Sequence, residues 1–216
     1  MKRNCLLVLL FFTNALTFAQ PFASDIAAFK KQDSLSFPEK GQILFVGSSS
    51  FTMWKDVQSY LPDYKIINRG FGGLSLTDVI HFAGKIIFPY QPKQIVIYCG
   101  ENDIAVDSTV TGTIVYKRFK KLFYLIRKSF TDIPLVYISM KPSPSRWVMK
   151  RKMTEGNRFI EKFLRKKKNT RFVNVWDAML GVDGLPNQEI FLKDKLHMNA
   201  RGYALWQKLI EPYFMK

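Results

Sequence analysis

The sequence predicts an α/β protein, a three-layer α/β/α sandwich built on a five-stranded parallel sheet. Three observations lead there: five short apolar segments recur, most are continuous rather than alternating, and longer amphipathic segments separate them. A strand covered by helices on both faces has no solvent side, so its side chains are apolar without period-two alternation. Right-handed crossovers then distribute the helices over both faces.

The elements follow in order. A leading helix precedes the first strand, Ile43 to Val46, and the later strands are Ile66 to Ile67, Ile95 to Tyr98, Leu135 to Ile138 and Phe172 to Val175. Leu76 to Ile87, Ile114 to Phe130 and Val148 to Leu164 are long and amphipathic enough to be crossover helices. Asn199 is a good N-cap for a last helix carrying Tyr203, Leu205, Trp206 and Leu209 at near-helical spacing, and Pro212 limits its end. Two loops are long or stiff: Ser139 to Arg146, with Pro142 and Pro144, and Asp177 to Lys193, with Gly181, Gly184 and Pro186. Both follow strands, and so fall on the edge where open α/β sheets place their sites.

Residues 1–19 read as a signal peptide. Lys2 and Arg3 precede an apolar stretch from Leu6 to Phe12, and Thr17-Phe18-Ala19 has small residues at its first and third positions. The apolar core is shorter than the ~20 residues of a spanning helix, which favours cleavage after Ala19 over an uncleaved anchor. Cys5 lies before the apolar core, badly placed for lipidation. Cleavage would leave residues 20–216 as one domain, exported to the periplasm or secreted, with Cys99 as its lone cysteine. Without a disulfide such a domain depends on its core, which 47% hydrophobic residues can supply.

The formal net charge is +16, and the excess gathers in two stretches, Lys117 to Lys128 and Lys150 to Lys168. They read first as solvated helix faces and second as contacts for an anionic envelope surface. Nucleic acid is not expected, because the chain carries an export signal and no aromatic residue interrupts Arg165-Lys166-Lys167-Lys168 to stack on a base. Two histidines and a single mature cysteine give metal chemistry little support, and no cofactor is implied. Cys99, at the end of an apolar strand, reads as a buried small residue. Gly70 to Gly73 fails the dinucleotide pattern because Ser75 stands at the last glycine position.

Gly47-Ser48-Ser49-Ser50 follows the first strand directly, where a serine hydroxyl would emerge at the rim of the sheet beside the first N–H groups of a helix. Far downstream, Asp194-Lys195-Leu196-His197 puts a carboxylate one turn of chain before an imidazole, the other two parts of a catalytic triad. Taken alone, the serines would be caps, His197 a surface residue and Asp194 a turn residue. Their joint occurrence with Asn68-Arg69-Gly70-Phe71-Gly72-Gly73 and Gly100-Glu101-Asn102-Asp103 reverses that reading.

These four blocks, in this order, resemble the SGNH/GDSL hydrolase superfamily, in its platelet-activating-factor acetylhydrolase-like branch, from about Ile43 to Leu209. The resemblance implies the flavodoxin-like form of the sandwich, Ser49 as nucleophile, His197 as general base, and Asp194 as the residue orienting the imidazole. The N–H groups of Ser49 and Gly73 and the amide of Asn102 would form the oxyanion hole. One departure is Ser48, where the family usually has aspartate. Because Ser48, Ser49 and Ser50 are adjacent, the two neighbours of Ser49 remain alternatives for the nucleophile. Arg146 is a candidate for binding an anionic or hydroxyl-rich part of the substrate, with packing on Trp147 as the alternative, and Glu101 could face the site. The expected activity is an exported esterase removing a small acyl group, acetyl above all, from a small-molecule or glycan ester of the cell envelope. A lysophospholipase or thioesterase acting on lipid, and a non-catalytic envelope-binding domain, are the alternatives.

Overall fold

The computed structural model describes residues 22–216, so the segment expected to be a signal peptide lies outside the described residues. Its strands are β1 (Ile43–Gly47), β2 (Ile66–Gly70), β3 (Gln94–Tyr98), β4 (Leu135–Ile138) and β5 (Thr170–Val173). They form one parallel sheet in the order β2-β1-β3-β4-β5. This is the doubly wound, flavodoxin-like order, in which the chain leaves β1 in one direction and returns past it to β3. The crevice at this reversal lies beyond the C-terminal ends of β1 and β3.

The helices are α1 (Ala23–Leu35), α2 (Ser49–Thr52), α3 (Val57–Tyr60), α4 (Leu76–Ile86), α5 (Glu101–Ala105), α6 (Gly112–Ser129), α7 (Lys150–Leu164) and α8 (Ala200–Ile210). Alternate strand residues feed two cores. Leu44, Val46, Ile95, Ile97, Leu135 and Tyr137 pack with apolar residues of α4, α6 and α7. Ile43, Phe45, Val96, Tyr98, Val136 and Ile138 pack with Tyr203, Trp206 and Ile210 of α8. Burial on both faces is why these strands lack alternation. Caps fix the helix starts: Ser75 and Asp78 form a reciprocal capping box on α4, and Thr111 and Asn199 accept N–H bonds at α6 and α8.

Several boundaries differ from the expected ones. β2 continues past Ile67 through two polar residues, because each is satisfied there: Asn68 bonds the Phe51 carbonyl, and buried Arg69 pairs with Asp33 and Tyr90. Period-based reading sees only the apolar part. β5 begins at Thr170 rather than Phe172, since its ladder to β4 starts at Thr170 opposite Leu135 and ends at Val173 opposite Ile138. Val175 has left the ladder and donates its N–H to Ser139 Oγ. α7 begins at Lys150 rather than Val148, with Pro144–Met149 forming a tighter 3₁₀ lead-in that takes up part of the expected loop. No helix among the described residues is long and apolar enough to cross a membrane.

Candidate active site

β1 ends at Gly47, and a Cβ there would lie 2.0 Å from the Tyr98 carbonyl oxygen of β3, so only glycine fits. The Ser48 N–H then bonds that carbonyl at 3.0 Å, turning the chain into α2 with Ser48 at the N-cap and Ser49 as its first residue. Of the three serines, Ser48 and Ser50 are buried and Ser49 is partly exposed. The Ser49 hydroxyl lies 2.9 Å from His197 Nε2. Ser50 Oγ has no hydrogen-bond partner among the described residues, and its carbonyl accepts from Tyr203.

His197 lies on a tight hairpin before α8, closed by an antiparallel bridge between Phe191 and Met198 and by the Leu192 N–H bond to the His197 carbonyl. Asp194 Oδ2 lies 2.6 Å from His197 Nδ1, while Oδ1 accepts the N–H groups of Leu196 and His197, each at 2.9 Å. Burial pushes the Asp194 carboxyl up, but these bonds to His197 and Leu196 outweigh it and hold the group at about 2. With Nδ1–H donating to Asp194, the Nε2 lone pair faces the Ser49 hydroxyl. The three side chains therefore touch in series.

Gly73 stands in the turn from β2 to α4 with φ +78°, a conformation open to glycine. The N–H groups of Ser49 and Gly73 donate to no acceptor among the described residues. Asn102, on α5 and almost fully buried, donates one amide N–H to the Leu74 carbonyl at 3.0 Å and accepts Arg146 Nη2 at 2.8 Å on Oδ1. Both ends of the amide are thereby fixed, and one N–H remains for a ligand.

Arg146, in the 3₁₀ segment, spends its guanidinium inside the protein: Nη2 holds Asn102 and Nη1 holds Glu101 Oε2 at 3.1 Å. Buried Lys141 donates to the same Glu101 carboxylate and to Tyr98 Oη. Burial lowers the Lys141 amine, with Glu101 opposing. The neighbouring Ser145 N–H bonds the Lys195 carbonyl at 3.1 Å, so this loop also touches the hairpin that carries His197.

Three supporting residues carry roles that the sequence did not assign, two of them, Asn68 and Asp103, inside the motif blocks. Asn68 ties β2 to α2 through the Phe51 carbonyl at 2.7 Å, bracing the serine helix. Fully buried Asp103 accepts the Leu76 N–H and Arg118 Nη1, fixing α5 against the start of α4. Burial raises the Asp103 carboxyl against those bonds. Lys141 carries no motif signal, because a lone lysine after a strand is ordinarily solvated.

A hydroxyl hydrogen-bonded to an imidazole, an imidazole oriented by a carboxylate, and unengaged donors nearby are the equipment of acyl transfer. Comparison with known proteins agrees. Residues 41–205 match the GDSL-like lipase/acylhydrolase family. No curated protein matches the sequence significantly. Among solved structures, one from Streptococcus pneumonia, provisionally described as a platelet activating factor, superposes with TM-score 0.77 at 18% identity, over 88% of this chain and 91% of that one. A GDSL-like lipase from Bacteroides thetaiotaomicron gives 0.71 at 18% identity, over 87% and 97%. A mutant of an acetyl-xylooligosaccharide esterase from Geobacillus gives 0.63 at 13% identity, over 82% and 96%. The chain belongs to the GDSL-like lipase/acylhydrolase family and is a carboxylic ester hydrolase.

Proposed function

We propose that the protein is an exported serine esterase that removes a small acyl group, acetyl above all, from a carbohydrate or another cell-envelope ester. The observation that carries the reading is the run of contacts from Ser49 Oγ to His197 Nε2 at 2.9 Å and from His197 Nδ1 to Asp194 at 2.6 Å. His197 takes the hydroxyl proton as Ser49 attacks the ester carbonyl, and Asp194 stabilises the imidazolium that forms. The N–H groups of Ser49, Gly73 and Asn102 receive the tetrahedral oxyanion. Its collapse passes the proton to the leaving alcohol, and water activated by His197 then releases the acyl group from Ser49. Arg146 acts in this scheme through Asn102, by holding the amide.

Two observations support a short acyl chain. The Phe22 ring lies 3.5 Å from the position of a Cβ on Gly73, within van der Waals reach of the proposed oxyanion glycine, and one structural relative is an acetyl-xylooligosaccharide esterase. The charged start, short apolar run and small-residue exit of residues 1–19 support export.

A fluorophosphonate probe followed by peptide mass mapping tests the nucleophile, with the adduct expected on Ser49 and on neither neighbour. Hydrolysis of p-nitrophenyl acetate is expected to exceed that of the octanoate and to vanish in Ser49→Ala. Persistent activity in Ser49→Ala would overturn the mechanism, whereas octanoate preference would overturn only the acetyl assignment and favour a lipid acylhydrolase.

A further inference from the structure

Residues 112–129 carry six basic and no acidic residues, and residues 150–168 carry nine basic and two acidic, a surplus of 13 in a chain of net charge +16. The fold turns these two stretches into one surface. α6 and α7 lie side by side over the same core, so close that a Cβ on Gly112 would meet the Gly156 nitrogen at 2.5 Å. Tyr116, Phe123 and Phe163 fill the rest of the seam, with ring centroids 5.9 Å apart for Tyr116–Phe163 and 5.1 Å for Phe123–Phe163. The seam is closed, and the outer face consists of two adjoining ridges.

Helical spacing aligns the charges along those ridges. Lys117, Lys121, Tyr124 and Lys128 are exposed on α6 at intervals of four, three and four residues, and Arg151, Arg158 and Lys162 on α7 at seven and four. Each set falls within one side of its helix. Among the described residues, only Arg118 and Arg165 of the fifteen cations pair with a carboxylate, Asp103 and Glu161 respectively. Glu155, one of the two acids, instead caps α6 through the Gly112 N–H. Like charges held on one rigid face repel one another, and an anionic partner relieves that cost.

We infer that the outer face of α6 and α7 docks on an anionic phospholipid surface. Charge complementarity requires an anion, and three features select a lipid sheet over an acidic polymer strand. The cations that reach solvent are mostly lysines, point charges on flexible stems suited to diffuse attraction rather than the bidentate reading of fixed acidic groups. The closed seam offers no slot between the helices to hold a single chain. Tyr124, half exposed in the middle of the α6 ridge, is a residue type that settles at the headgroup level of a bilayer. Both helices begin beyond the sheet edge that carries Ser49 and His197 and run away from it, so docking along them leaves the site open. The inference is independent of the ester that is cleaved.

Co-sedimentation of the full-length mature protein with phosphatidylglycerol/phosphatidylcholine vesicles tests it, with phosphatidylcholine vesicles as reference. Binding is expected only to the anionic vesicles and is expected to fall as salt rises. The triple variant K117E/K121E/K128E is expected to bind at least about tenfold more weakly, a cautious figure for three reversed charges near an anionic membrane. Its hydrolysis of p-nitrophenyl acetate should be unchanged, which certifies its fold. Three results would overturn the inference: no binding to anionic vesicles at low salt, equal binding by the variant, or retention on an acidic polysaccharide with the vesicles left unbound.

Discussion

Arg146 donates to Asn102 Oδ1 at 2.8 Å and, through its other terminal nitrogen, to the carboxylate of the adjacent Glu101 at 3.1 Å. The guanidinium thus fixes which side of the Asn102 amide presents its N–H. Arg146→Ala should lower kcat by about tenfold, the effect of a ~1.4 kcal/mol rise in the barrier, with KM little changed. Arg146→Lys should not restore the rate, because an ammonium cannot make both bonds in one plane. A residue binding the substrate directly would move KM instead.

Asn102→Ala removes the donor itself. Loss of one oxyanion donor costs about 3 kcal/mol, so kcat should fall by about a hundredfold. The thermal unfolding midpoint should also drop by a few degrees, because the Leu74 carbonyl and Arg146 Nη2 lose their partner inside the protein. The double variant with Arg146→Ala should be no worse than Asn102→Ala alone, since Arg146 acts through that amide.

Asp103→Ala should be a stability variant. It orphans the Leu76 N–H and leaves Arg118 without its carboxylate, and Asp103 is fully buried. A loss of about 3 kcal/mol in urea unfolding is expected, at the low end for a buried pair because Arg118 keeps some access to water.

The Asp194 carboxyl is held at about 2, below its usual range near 3.9. A group whose folded value is depressed contributes stability above its unfolded value and loses it as pH falls through the folded one. Between about pH 4 and pH 2, the unfolding midpoint of the wild type should therefore fall more steeply than that of Asp194→Asn. The same value keeps the carboxylate ionised well below neutral pH, so Asp194 does not set the acid limb of kcat/KM.

Phe22→Ala should widen chain-length tolerance. The ring stands beside Gly73 and packs against Phe71 and Phe82, with centroids 5.3 and 6.4 Å away, so removing it opens space next to the proposed oxyanion glycine. The rate ratio of p-nitrophenyl butyrate to acetate is expected to rise, and an unchanged ratio would place the acyl group elsewhere.

The sheet was legible because residues buried on both faces leave continuous apolar runs, as Ile43–Val46 and Leu135–Ile138 do. β2 was half legible, because the partners that make Arg69 tolerable in a strand, Asp33 and Tyr90, come from remote elements. At the site, Ser49 and His197 could be placed at the sheet edge from strand ends and spacing. The bond from Arg146 to Asn102 could not, since it depends on a 3₁₀ turn after Ser143 that aims a side chain 44 residues back along the chain. Lys141 was invisible for the same reason: its burial follows from the Glu101 carboxylate, which only the folded chain brings near.

The loop after β4 grips both halves of the reaction centre, Arg146 reaching Asn102 while Ser145 bonds the Lys195 carbonyl on the histidine hairpin. An oversized acyl or alcohol group that levers this loop outward would loosen oxyanion capture and misalign the proton relay in one movement. Rejection of bulky esters would then register as slow turnover of a bound complex rather than weak binding, so fidelity would reside in a single mechanical strut.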